Sequence, residues 1–199
     1  MITYYEDGKV DVAILEQAKP GKTCCGDAHT VIHTEHYTVC AVVDGLGSGE
    51  GAYQSANAAI EIIEALHDKS VEQIVEACNQ ALLHKRGAVM TIIKVDYAKF
   101  EVSYSNFGNI GFVMHMPDGT TIQPIPSRGY LSGKKQRITS QRFPYQSGSA
   151  FLLYSDGIKK PPSKKMLLKM DSPRTATEEL FPKDGYALDD VTLLVGKIS

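Results

Sequence analysis

Surplus charge, long apolar runs and cysteines are all scarce in this chain, and each shortage narrows what it can be. Its 21 basic residues stand against 23 acidic ones, a formal net charge of -2. The electrostatic excess that nucleic-acid binders carry is therefore missing, and no nucleic acid is expected as a partner. No apolar run approaches the ~20 residues that a membrane-spanning helix needs. The opening stretch Met1-Ile2-Thr3-Tyr4-Tyr5-Glu6-Asp7 is polar and acidic, where a signal peptide would be basic and then apolar. A cytoplasmic location with no membrane partner is the expectation. The 4 cysteines, Cys24, Cys25, Cys40 and Cys78, are too few and too irregularly spaced for a disulfide framework or a zinc ribbon, and read as reduced thiols. Adjacent Cys24 and Cys25 invite a redox reading, but strand neighbours point to opposite faces, so packing is preferred. What is present is the composition of a globular chain, 43% hydrophobic and 22% charged over 199 residues. A single domain spanning 1–199 with one well-buried core is expected.

The pattern along the chain opens with strands. Residues 10–18 read as a strand closed by Pro20-Gly21, and a hairpin follows from the β-branched and apolar runs His29 to His33 and Tyr37 to Val43. The second run is almost continuously apolar, as a strand covered on both faces would be. Two helices come next. Ala56, Ile60, Ile63 and Leu66 recur at helical spacing within residues 52–67, and Ser70 with Gln73 forms a capping-box signature ahead of the stripe Val71, Ile74, Val75, Cys78 and Leu82. From residue 88 the periodicity turns to strands at Val89 to Val95, Phe100 to Tyr104, Ile110 to Met114, Thr120 to Ile125, Arg137 to Phe143 and Ala150 to Tyr154. The basic run Lys159-Lys160-Pro161-Pro162-Ser163-Lys164-Lys165 reads as a solvated loop, residues 173–180 as a short helix and Val191 to Val195 as the last strand. Strands, two helices and then many strands predict an α+β fold with helices on the faces of antiparallel sheets.

Three aspartates fall at equivalent places in this pattern. Asp44 ends a buried strand, Asp156 follows the apolar run Phe151-Leu152-Leu153-Tyr154, and Asp189 precedes the last strand. Two of them are followed by glycine, which permits a tight turn and lets a backbone carbonyl approach an ion. Hard cations take such oxygen ligands. Carboxylates gathered without cations raise one another's pKa, so a cluster of this kind implies Mg²⁺ or Mn²⁺ in place of protons. Any one Asp-Gly pair is more often a plain turn.

The ordered set Cys25-Gly26-Asp27-Ala28, Val43-Asp44-Gly45-Leu46-Gly47-Ser48-Gly49-Glu50, Tyr154-Ser155-Asp156-Gly157 and Leu188-Asp189-Asp190-Val191-Thr192 resembles the type 2C (PPM) family of metal-dependent Ser/Thr protein phosphatases. The resemblance spans nearly the whole chain. It is strongest to the bacterial regulatory branch, through the Gly-Ser-Gly-Glu ending of the second motif. It implies a four-layer α/β/β/α sandwich, two central antiparallel sheets flanked by helices, in a minimal form without a large flap. It further implies two Mn²⁺ or Mg²⁺ ions per chain. Asp44 would bridge them, Gly45 would offer its carbonyl to one, Asp156 and Asp189 would complete the other, and Asp27 would lie near the second ion. Asp190 would sit behind these ligands, and Lys19 or Lys22 would hold the phosphate. Two such ions, ~3.5–4 Å apart, would activate a water for in-line attack on phosphorus. The implied substrates are phosphorylated regulatory proteins, stressosome STAS-domain proteins above all, in negative feedback on a general stress response. The chain departs from the family pattern at Asn106-Phe107-Gly108-Asn109-Ile110, where many members have Gly-Asp, so two metals are expected rather than three. Leu46 stands where some members have a proton-donating histidine, which leaves the general acid unassigned. The six histidines, His29, His33, His36, His67, His84 and His115, are given no role.

Two other classes compete. A GHKL-type nucleotide-binding protein would also carry Asp44-Gly45-Leu46-Gly47, but it needs an asparagine-bearing helix before that loop, and only strands precede it. A PPM-fold binding module without catalysis would be marked by loss of a core aspartate, and Asp44, Asp156 and Asp189 are all retained.

Overall fold

The computed structural model describes residues 1–19, 21, 25–158, 160–180 and 190–199. Short strand β1 (Ile2–Tyr5) turns into β2 (Val10–Gln17), and β3 (Asp27–His33) into β4 (Tyr37–Gly45). Helices α1 (Glu50–Ala65) and α2 (Val71–Ala81) follow. Strands β5 (Ala88–Asp96), β6 (Glu101–Phe107), β7 (Gly111–His115), β8 (Thr121–Ile122), β9 (Gln141–Pro144) and β10 (Ala150–Tyr154) complete the middle of the chain. Two short helices, α3 (Lys164–Lys169) and α4 (Pro173–Leu180), precede β11 (Val191–Ile198).

The strands form two antiparallel sheets, ordered β1-β2-β11-β10-β7-β8 and β3-β4-β5-β6-β9. One buried cluster lies between them, with Ile14, Phe112, Phe151 and Leu194 of the first sheet meeting Cys40, Val42, Ile93 and Tyr104 of the second. A second cluster joins the outer face of the five-stranded sheet, through Val39, Ala41, Val43 and Ile92, to Ala56, Ile63, Ile74 and Cys78 of α1 and α2. A third packs Leu152, Leu193 and Val195 of the six-stranded sheet against Leu167 and Ala176 of α3 and α4. These three interiors separate four layers, the expected α/β/β/α sandwich without a large flap. The uninterrupted apolar run of β4 is explained by its place, since it is covered by α1 on one side and by the other sheet on the other.

Details differ from the sequence reading. Ser70 caps α2 with both bonds of the capping box, as expected. The N-terminal strand β1 was not expected, because its residues are only half-buried at a sheet edge. The basic run expected as a loop holds α3, capped by Ser163 and anchored by buried Leu167. Strand structure around 120–125 shrinks to Thr121–Ile122, and that around 137–143 to Gln141–Pro144. Pro124 and Pro126 cannot donate to a ladder. No helix among the described residues is long and apolar enough to cross a membrane.

Candidate metal centre

Asp27 opens β3 and Asp44 stands one residue before the end of β4, and the register makes them direct cross-strand partners. Two carboxylates facing each other across an antiparallel pair repel, an arrangement sheets ordinarily avoid. At the same end of the other sheet, Asp156 follows β10 and Asp190 immediately precedes β11. Asp27, Asp44, Asp156 and Asp190 line one pocket of about 240 Å³, completed by Leu46, Gly47, Val89 and Asn109. The folding of both sheets toward one end thus gathers four carboxylates that are far apart in sequence.

Each carboxylate is held differently. Asp27 is 4% exposed, and its Oδ2 accepts no hydrogen bond among the described residues. Burial pushes its carboxyl up to about 6; the Ser155 hydroxyl pulls the other way, and Asp190 and Asp156 add to the rise. Asp190 is tied to backbone: Oδ1 accepts from Lys19 N at 2.8 Å and Oδ2 from Gly26 N at 2.9 Å. It acts as a clamp on the segment entering β3, and it lines the pocket beside the other three aspartates. Asp156 Oδ2 accepts from Asn109 Nδ2 at 2.9 Å. Asn109 therefore reaches the site in the role of a donor to Asp156, a contact that sequence reading missed because it depends on β7 and β10 being neighbours in the sheet.

The backbone around the carboxylates is tightly constrained. A methyl group at Gly45 would lie 2.0 Å from the carbonyl oxygen of Ala52 in α1, and one at Gly157 would lie 2.2 Å from that of Asp190. Both glycines after the motif aspartates are thus required by close backbone approach, although neither needs a left-handed φ. Gly45 N donates to Gly26 O at 3.1 Å, joining the first two motifs. Ser155 N donates to Thr192 O, and Thr192 N to Ser155 Oγ, both at 2.9 Å, joining the last two.

Of the expected ligands, Asp27, Asp44 and Asp156 share the pocket. Asp189 lies outside the described residues, as do Lys22 and Cys24; Lys19 contributes its backbone N–H to Asp190. Among the described residues, no three acidic, thiol or imidazole side chains already converge as an ion cage. The carboxylate oxygens of Asp190 and one of Asp156 are instead occupied by N–H donors. A buried carboxylate oxygen that accepts no hydrogen bond, set among other carboxylates, fits a divalent cation, which would relieve both the repulsion and the desolvation. Three of the histidines make contacts away from the pocket: His29 pairs with Glu16 at 2.9 Å, His33 with Thr38 at 2.8 Å and His67 with Tyr37 at 3.0 Å. Cys25 is buried, and burial raises its thiol far above the range of a reactive thiolate.

Residues 34–199 match the model of the stage II sporulation protein E (SpoIIE) family. The phosphoserine phosphatase RsbX of Bacillus subtilis (strain 168) is 34% identical over 199 residues, covering 100% of both chains. The crystal structure of RsbX in complex with magnesium superposes with a TM-score of 0.94 over 100% of both chains. A chain from structural work on the bacterial stressosome, a modular system adapted to control secondary messenger signalling, is 30% identical with a TM-score of 0.85, over 95% of this chain and 100% of that one. The Mycobacterium tuberculosis serine/threonine phosphatase PstP, 17% identical over 96% of this chain and 99% of its own with a TM-score of 0.76, shares the fold. A chain that shares this fold and aligns with RsbX from end to end belongs to the SpoIIE family of PP2C-type proteins.

Proposed function

We propose that the chain is a metal-dependent phosphatase that hydrolyses phosphoserine or phosphothreonine on regulatory proteins, with residues 1–199 acting as one catalytic domain. The observation that carries this reading is the pocket that brings the cross-strand pair Asp27 and Asp44 together with Asp156 and Asp190. End-to-end similarity to the phosphoserine phosphatase RsbX supports the activity, and similarity to a stressosome structure supports substrates of the STAS-domain kind in cytoplasmic stress signalling.

In this reading Asp44, Asp27, Asp156, Asp189 and the Gly45 carbonyl hold two Mg²⁺ or Mn²⁺ ions, a choice supported by the magnesium complex of RsbX. Such ions supply charge neutralisation for the phosphoryl oxygens and activation of a water. The chain's own residues prepare that chemistry. Asp190 fixes the segment before Asp27 through Lys19 N and Gly26 N. Asn109 orients Asp156 by its amide hydrogen bond, and positioning partners of this type sharpen ligand geometry. Leu46 walls the pocket without a transferable proton, so the departing serine oxygen takes its proton from water or from another side chain, and the general acid stays unassigned. Lys19 or Lys22 assists in holding the phosphate.

The test is release of inorganic phosphate from a serine-phosphorylated STAS-domain protein with added Mn²⁺. Release that stops on EDTA addition supports the hydrolase, whereas binding of the phosphoprotein without release turns the reading toward a binding module.

A further inference from the structure

Arg86 lies outside every motif that marks the site, yet the fold lays it along the rim of the acidic pocket. It sits in the turn between α2 and β5. Leu46 N donates to Gly87 O at 3.0 Å, and Ala88 and Leu131 exchange backbone hydrogen bonds at 3.0 and 2.8 Å, so the turn is fastened on both sides. The Arg86 side chain is exposed and runs back over the loop between β4 and α1. Its Nη1 donates to Ser48 O at 3.2 Å.

Two glycines make room for it. A methyl group at Gly51 would stand 2.5 Å from Arg86 Nε and 2.8 Å from Cζ, and one at Gly47 would stand 3.1 Å from Nη1. Gly47 is itself a wall of the pocket. Gly51 belongs to the first turn of α1, where nothing in the backbone asks for glycine. The absent side chain there is explained by the guanidinium that occupies its place. No carboxylate pairs with Arg86 among the described residues, so the charge is not spent on a salt bridge, and its one side-chain hydrogen bond among them goes to Ser48 O. Beside it, the pocket presents four carboxylates, which by themselves repel a phosphate.

We infer that Arg86 is a substrate-binding residue that grips the phosphoryl group of the incoming phosphoserine, or the phosphate product, at the mouth of the pocket. This inference rests on the phosphatase reading above. A planar guanidinium with free N–H groups matches phosphate oxygens in geometry and charge, and a glycine bed fixes its direction before the substrate arrives. The grip acts on substrate and transition state alike, so it appears in KM and in product inhibition rather than in kcat.

The experiment compares wild type, Arg86→Gln, Arg86→Lys and Gly51→Ala in Mn²⁺, on a phosphoserine protein and with inorganic phosphate as inhibitor. Arg86→Gln keeps a donor for Ser48 O but no charge. Its KM and its phosphate inhibition constant should rise about tenfold or more with kcat within about threefold, and Arg86→Lys should recover part of the loss. Gly51→Ala should reproduce the weaker phosphate inhibition without lowering Tm, since alanine favours a helix over glycine. Unchanged KM and phosphate inhibition in Arg86→Gln overturns the inference, as does a joint fall in kcat and Tm, which marks a merely structural staple. A wild-type chain that releases no phosphate removes the phosphatase reading itself, and this inference with it.

Discussion

Asp27 faces Asp44 across β3 and β4 while being almost fully buried, and its carboxyl is held up at about 6 against the ordinary 3.8. The folded value lies above the unfolded one, so the metal-free fold prefers the neutral carboxyl. The stability that Asp27 contributes is complete below about pH 4 and is lost as pH rises through about 6, a change of about 3 kcal/mol. Urea unfolding of wild type and Asp27→Asn in EDTA should therefore show the asparagine variant gaining on wild type as pH rises from about 4 to about 7.5. A pH-independent difference contradicts the burial argument. Asn109 gives a second residue-scale outcome. Its amide donates to Asp156, and Asn109→Asp would replace that donor with a fifth carboxylate. Metal-free Tm should fall, and the rise in Tm on adding Mn²⁺ should exceed that of wild type; an unchanged metal-free Tm would show that Asn109 faces away from the charge.

At the scale of elements, the site depends on how α1 meets β4. The close approach of Gly45 to the Ala52 carbonyl leaves no room for a side chain. Gly45→Ala should cost about 1–3 kcal/mol by overpacking, and should lower turnover by pushing Asp44 out of line with Asp27. Full stability in thermal unfolding would refute the packing account. The irregular chain beyond β8 is held to α2 by buried Asn79, whose Oδ1 accepts from Ser132 N and Gly133 N at 3.1 Å and whose Nδ2 donates to Lys134 O at 2.8 Å. Asn79→Ala leaves those groups unpaired and should destabilise by about 2–4 kcal/mol. Helices α1 and α2 were legible because their apolar stripes repeat at helical spacing, and β4 because it is apolar throughout. Helix α3 was not, since lysines mask the signal that Ser163, Leu167 and Met170 carry. Strand β1 was missed although Ile2, Thr3, Tyr4 and Tyr5 all favour strands, because four half-buried residues carry too short a pattern and their order comes from pairing with β2. Asp44 and Asp156 could be read from their places at strand ends, whereas Asp27 came only from the family resemblance. Their company could not: the Asp27–Asp44 register and the Asn109–Asp156 bond follow from strand order, which local sequence does not encode.

For the whole molecule, two sheets converge at one end of a four-layer sandwich and set carboxylates from four separated motifs around one pocket. The arrangement is costly without cations and favourable with them, so metal binding and folding are thermodynamically linked. The measurement that tests this account most directly is phosphate release from a phosphoserine protein by wild type and Asp44→Asn, each with Mn²⁺ and with EDTA. The account predicts release by wild type in Mn²⁺ alone, and none by Asp44→Asn although it remains folded. Full turnover by Asp44→Asn in Mn²⁺, or by wild type in EDTA, would contradict it.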